Sequence, residues 1–226
     1  MLRILPLGGE EVYRVVNEVL SSNSYICRTA VPGDCFLIDP GFDVEVILSE
    51  LAGLELTPSK IYCTHGHFDH IGCAALLQKT FCLPVFLHSA DLKIARSSNF
   101  LLKAFRFPYN VIQPDFSLVE EGFEVDLNGT PLRFIHTPGH TDGSSIIEYG
   151  TSLFTGDTIY SRGLALSRLP GGKPDLLRRS IRHVWNLLSE DRIVYPGHGE
   201  ILPATLVRTS NHALMNFIGL DPPEND

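Results

Sequence analysis

Short runs that read as strands alternate along this chain with a few stretches whose apolar residues recur at helical spacing. Residues 2–7 and 11–16 read as strands, and 24–29 with 35–39 as a hairpin joined through Val31-Pro-Gly-Asp34. Asp39-Pro-Gly41 ends that hairpin. Val44, Ile47, Leu48 and Leu51 then predict a helix over 43–53, which Gly53 and Pro58 close. An apolar, β-prone strand follows and feeds His65-x-His67-x-Asp69-His70, after which 71–79 reads as helix. Residues 84–88 predict a strand, and 89–95 and 99–107 predict helical pieces.

Hairpins dominate the second half: strands over 123–127 and 132–137 across an Asn128-Gly129 turn, then 144–149 and 153–155 across Gly150-Thr151. Leu176, Leu177, Ile181, Val184, Leu187 and Leu188 share one face of a predicted amphipathic helix over 174–190, with Pro174 suited to its first turn. A strand over 192–195, a closing helix over 203–218 and a frayed acidic tail over 221–226 complete the reading. The expectation is a mixed α/β fold in one domain, 1–226, without repeats, linkers or low-complexity tracts.

Composition narrows the function. At 226 residues and 44% hydrophobic content the chain can bury a sizeable core. A formal net charge of −8 with 19% charged residues lacks the basic stripe that phosphate-backbone binding requires, so nucleic acid is not expected as a partner. The first ten residues lack the apolar core and cleavage site of a secretory signal, and no apolar run reaches membrane-spanning length. Five cysteines without a Cys-x-x-Cys pair suit reduced thiols in a cytoplasm.

The chemistry concentrates where predicted strands give way to glycine-containing loops. In an extended segment His65, His67 and Asp69 would point to one side, with His70 swinging in from the following helix. Burying four such polar groups in one loop costs too much to serve folding alone. His140, in Thr-Pro-Gly-His140, Asp157, in Thr-Gly-Asp157, and His198, in Pro-Gly-His198, lie at further strand ends. Five histidines and two aspartates, with one carboxylate shared, suffice for two divalent ions with positions left open. Zinc is the first expectation, with iron or manganese as alternatives. Cys63, two before His65, is read as a buried structural thiol, His136 as a supporting residue, and His88, His183 and His212 as structural.

His-x-His-x-Asp-His, Thr-Pro-Gly-His, Thr-Gly-Asp and Pro-Gly-His in this order resemble the metallo-β-lactamase fold superfamily over residues 23–199. The local wording is most similar to its glyoxalase II-like branch, the hydroxyacylglutathione hydrolases. The resemblance implies a four-layer αββα sandwich with two metals at one edge. It implies His65, His67 and His140 on one ion, Asp69, His70 and His198 on the other, and Asp157 between them. It also implies hydrolysis of a small-molecule thioester, glutathione-linked in that branch. The shared water, acidified toward about pH 7, would be the nucleophile, with Asp69 as ligand and orienting group or as ligand alone.

Two departures accompany the resemblance. Larger glyoxalase II enzymes carry a further helical domain that contacts glutathione, whereas the residues after His198 leave room for little more than one helix. The shorter branch often has Gly-Arg-x-Asp where this chain has Ala165-Leu-Ser-Arg168. Tyr160 and Arg162 are candidates to line the pocket, with surface or core roles as the alternative. Within the superfamily, persulfide dioxygenases use one iron on the equivalents of His65, His140 and Asp157, and lactonases share every ligand. These are the competing chemistries.

Overall fold

The structure, a computed structural model, describes residues 2–4, 11–166 and 172–220. Its first sheet takes seven strands in chain order: β1 (Leu2–Ile4), β2 (Val12–Val16), β3 (Asn23–Arg28), β4 (Asp34–Ile38), β5 (Thr57–Tyr62), β6 (Val85–His88) and β7 (Phe116–Val119). β1 to β4 pair antiparallel and β4 to β7 parallel. Parallel neighbours need crossovers. These are supplied by α1 (Val44–Gly53), by α2 (Phe68–Ile71) with α3 (Ala74–Phe81), and by α4 (Leu92–Arg96) with α5 (Ser98–Ala104).

The second sheet has the order β13-β12-β11-β10-β9-β8. It is built from β8 (Glu124–Leu127), β9 (Thr130–His136), β10 (Ser145–Tyr149), β11 (Ser152–Gly156), β12 (Ile193–Pro196) and β13 (Leu202–Pro203). The amphipathic helix α6 (Pro174–Val184) carries the chain between the parallel neighbours β11 and β12, and α7 (Ala204–Ser210) and α8 (His212–Ile218) follow β13.

Period-two alternation sorts these strands into layers. Tyr25, Cys27, Phe36, Ile38 and Tyr62 of the first sheet meet Phe134, Ile147, Tyr149, Phe154 and Tyr195 of the second in one aromatic core. Tyr25 packs 5.4 Å from Phe154, and Phe36 packs 5.0 Å from Tyr149. The intervening residues turn outward. Ile26, Leu37 and Ile61 pack with Ile47, Leu51 and Leu77 of α1 and α3, while Ile146, Leu153 and Val194 pack with Leu177, Ile181, Val207 and Leu214 of the other helices. Three cores separate four layers, giving the expected αββα sandwich.

Several boundaries differ from the sequence-based expectation. The helix expected over 203–218 begins at Ala204 and is broken at Asn211, a buried residue whose side chain serves two segments. Its Oδ1 accepts from Leu214 N and caps α8, while its Nδ2 donates to Tyr160 O and Gly163 O. The 174–190 helix ends at Val184 and passes into the 3-10 turn Trp185–Leu187. β7 is an unpredicted strand whose pattern of exposure carries no clean alternation. Residues 5–7 of the first predicted strand, the 221–226 tail, and Ser167 and Arg168 of the departing loop lie outside the described residues.

Candidate metal centre

Five strands deliver their C-terminal ends to one edge of the sandwich. β5 leads to His65, His67, Asp69 and His70; β9 leads to His140; β11, β12 and β4 lead to Asp157, His198 and Asp39. The hydrogen bond from Ser145 N to Thr64 O, 2.9 Å, joins the two sheets there. His65, His67, Asp69, His70, His140 and Asp157 are buried and His198 is partly buried.

The side chains form two groups. His65 Nε2 lies 3.1 Å from His67 Nδ1, and His140 Nε2 lies 3.0 Å from the same atom. His70 Nε2 lies 3.3 Å from His198 Nε2 and 3.4 Å from Asp69 Oδ2, which is 3.3 Å from His198 Nε2. Asp69 thus faces His70 and His198, correcting the expectation that it shares an extended segment with His65 and His67. Beyond Tyr62 the chain leaves the strand, and α2 begins directly after His67, its helical backbone turning Asp69 and His70 toward the second group.

Asp157 touches both groups. Its Oδ2 is 3.3 Å from His140 Nε2 and 3.5 Å from His198 Nε2, and its Oδ1 is 3.6 Å from His70 Nε2. That Oδ1 is buried and has no hydrogen-bond partner. A tetrahedral shell with metal–nitrogen bonds of about 2.0–2.1 Å separates its ligand atoms by about 3.3 Å. The observed 3.0–3.6 Å separations are those of ligand shells, and an unpartnered buried carboxylate oxygen beside His70 calls for a cation. The donor set of imidazole and carboxylate therefore fits divalent ions, with residues for two.

Supporting hydrogen bonds fix which ring nitrogen is free. Asp39 Oδ2 faces His70 Nδ1 at 3.0 Å, Leu20 O faces His198 Nδ1 at 3.1 Å, and Ala165 O faces His140 Nδ1 at 3.3 Å. Each acceptor places the proton on Nδ1 and leaves the Nε2 lone pair for the site. Thr64 N and Oγ1 donate to Asp39 at 2.7 and 2.6 Å, and Ser22 Oγ donates to Asp69 O at 2.8 Å. The His198 loop is held by Tyr25 Oη and Asn23 Nδ2, both donating to Pro196 O.

The electrostatics separate the groups in the same way. Burial pushes His65 and His67 well down, His67 to about 3, so both rings are neutral as metal ligation requires. Burial opposes charge on Asp69 and Asp157 as well, yet the neighbouring imidazoles outweigh it and both carboxyls end below their usual range. His70 and His198 rise despite burial because Asp69 and Asp157 attract positive charge, with Asp39 adding a hydrogen bond to His70. The second group therefore demands a cation, which a proton or a metal ion can supply.

A cavity of about 160 Å³ opens on these ligands and is bordered by Leu20, Tyr160, Ala165 and Leu166. Tyr160 borders it, but its hydroxyl donates to Asp157 Oδ2 at 2.8 Å. Arg162 pairs with Glu200 at 2.9 Å, both well exposed, and does not border it. A larger cavity, about 320 Å³, lies against Thr141 between Lys93, Phe100 and Leu101 and holds none of the seven ligands. Cys63 is a buried core thiol that burial keeps protonated, and His136 Nε2 faces Asp142 O at 2.8 Å while its ring stacks on His88. Asp39 and Thr64, which support His70, were missed as site residues. Asp39 stands at a strand end before Pro-Gly, the same signal that marks the ligands.

A family model described as the metallo-beta-lactamase superfamily matches residues 17–198. A hydroxyacylglutathione hydrolase of Haemophilus influenzae, GloC, is 30% identical over 179 residues, covering 77% of this chain and 84% of that protein. Among solved structures, one described as the B3 metallo-beta-lactamase BLEG-1 superposes with a TM-score of 0.78 at 27% identity, covering 90% of this chain and 99% of that one. TTHA1623, in a di-iron-bound form, gives 0.77 at 29% identity, covering 86% and 96%.

Proposed function

The chain belongs to the metallo-beta-lactamase superfamily as a metallo-hydrolase, and from that premise we propose that it is a dinuclear hydrolase of small-molecule thioesters. The observation that carries the dinuclear reading is Asp157, a single buried carboxylate within 3.3–3.6 Å of ligand atoms from both groups. The di-iron form of a relative with the same fold supports it, and the hydroxyacylglutathione hydrolase relative supports the thioester. Zinc, iron and manganese all suit these donors. The free cysteines, four of them buried, favour a reducing cytoplasm.

When bound, divalent ions supply an acidified water and a polarising charge for the carbonyl oxygen. The chain's own part is placement. Asp39, Leu20 O and Ala165 O lock three imidazoles in the Nε2-free tautomer, and Tyr160 Oη holds the shared carboxylate in its rotamer. Leu20 and Leu166 border the cavity with apolar surface that limits water around the acyl group. A thiolate leaves without a general acid, which fits a cavity where Asp69 and Asp157 are held ionised.

Thiol release from S-lactoylglutathione and from a smaller acyl thioester, measured without oxygen, tests the proposal. The expected result is turnover of both, with a weak Michaelis constant and modest preference for the glutathione ester. Absence of thioester cleavage, with oxygen uptake on glutathione persulfide or turnover confined to lactones, overturns it.

A further inference from the structure

Asp91 ends the 3-10 turn Ser89–Asp91 directly after β6 and is fully buried. Its carboxylate takes three hydrogen bonds from two other segments. Oδ2 accepts from Gly66 N at 2.7 Å and from Thr141 Oγ1 at 2.7 Å, and Oδ1 accepts from Gly143 N at 2.5 Å. Gly66 lies between His65 and His67, and Thr141 follows His140. One side chain therefore joins the two loops that carry all three ligands of the first group.

The approach is close enough to need glycine on both loops. A Cβ at Gly66 would stand 2.9 Å from Asp91 O, and one at Gly143 would stand 2.7 Å from Asp91 N and 2.8 Å from its Cγ. The second group has a separate frame: Asp39 on His70, Leu20 O on His198 and Ser22 on the Asp69 carbonyl. Nothing described in that frame bonds to Asp91.

We propose that Asp91 is a positioning residue for the first half-site, fixing the His65–His67 loop relative to His140 and so setting that half-site's metal affinity. It is not one of the seven candidate ligands and does not border the cavity that opens on them. The inference rests on the two-group reading of the ligands and is independent of which bond the protein cleaves. Asp91→Asn keeps the volume but replaces one acceptor with an amide group that meets an N–H or O–H donor, loosening one loop. Loss of a group that orients ligands typically weakens metal binding about 10- to 100-fold.

The test is zinc affinity by competition with a chromophoric chelator, read without substrate in two backgrounds. His198→Ala retains the first group and His140→Ala retains the second. Asp91→Asn is expected to weaken zinc about 10- to 100-fold in the His198→Ala background and less than about twofold in the other. Thr141→Val, which removes one of the three bonds and spares Asp91, is expected to give a smaller loss in the same half-site, and it decides the matter if Asp91→Asn does not fold. Equal weakening of both half-sites, or none in either, overturns the assignment.

Discussion

Gly197 is the position where one methyl group bears most directly on the Asp157 carboxylate. It precedes His198, and a Cβ built there would overlap Asp157 Oδ1 while standing 2.8 Å from His70 Cε1 and 3.0 Å from the Gly156 carbonyl carbon. Relief requires the carboxylate to move by about 1 Å, because ordinary carbon contacts begin near 3.5 Å. Asp157 cannot do so freely: it is buried, and Tyr160 holds its other oxygen at 2.8 Å. A displacement of about 1 Å at the reacting centre costs on the order of 10²-fold in rate. Overpacking costs about 1–3 kcal/mol of stability, or roughly 2–4 °C in melting temperature per kcal/mol for a chain of this size. Gly53→Ala is the control, since its Cβ meets nothing within 4 Å at the end of α1. Turnover number, bound metal and melting temperature are measured for both variants. Gly197→Ala is expected to lose about 10²-fold in turnover with a modest thermal shift, and Gly53→Ala to lose neither. A Gly197→Ala protein within about threefold of the parent in turnover, with its metal content intact, would refute Asp157 as the shared ligand.

Asp39→Asn removes an acceptor from Thr64 and His70 and should weaken the second ion about 10- to 100-fold, measured by chelator competition; an unchanged affinity would place Asp39 outside the site's frame. Tyr160→Phe removes the bond to Asp157, so turnover should fall roughly tenfold with the Michaelis constant within about twofold; a change confined to the Michaelis constant would instead make the hydroxyl a substrate contact. Stability of the chelator-stripped protein should fall as pH drops from about 6.5 toward 4, because His65 and His67 are depressed by burial while unfolded imidazoles near 6.5 take up protons. His70 and His198 are raised, so their contribution is complete below 6.5 and is lost only as pH rises through their folded values; a flat melting profile over pH 4–6.5 would contradict this balance.

Local pattern made much of the sandwich legible because its central strands are buried on both faces and read as short apolar runs bounded by turn residues, as at Tyr25, Ile26 and Cys27, whose side chains alternate between the inter-sheet core and the helix-facing core. The candidate ligands were legible because His65, His67, His140, Asp157 and His198 each adjoin a glycine in a loop that follows a strand, with Asp69 and His70 close behind His67, and the structure brings all seven to one edge. Periodicity could not reveal α2, which is four residues long and turns Asp69 away from His65 and His67. Asn211 broke the closing helix for a tertiary reason, its bonds to Tyr160 and Gly163. Asp39 and Asp91 read as a turn and a helical residue, since their partners lie on distant segments. Which side chains support the ligands is a property of loops meeting, and it enters only with the fold.

In the proposed function two ions held around Asp157 support thioester hydrolysis. The most direct measurement is titration of chelator-stripped protein with zinc while thiol release from S-lactoylglutathione is followed in the absence of oxygen. Activity is expected to rise through the second equivalent of metal and to be lost in Asp157→Ala. Full activity at one equivalent, or none at any metal content without oxygen, would contradict it.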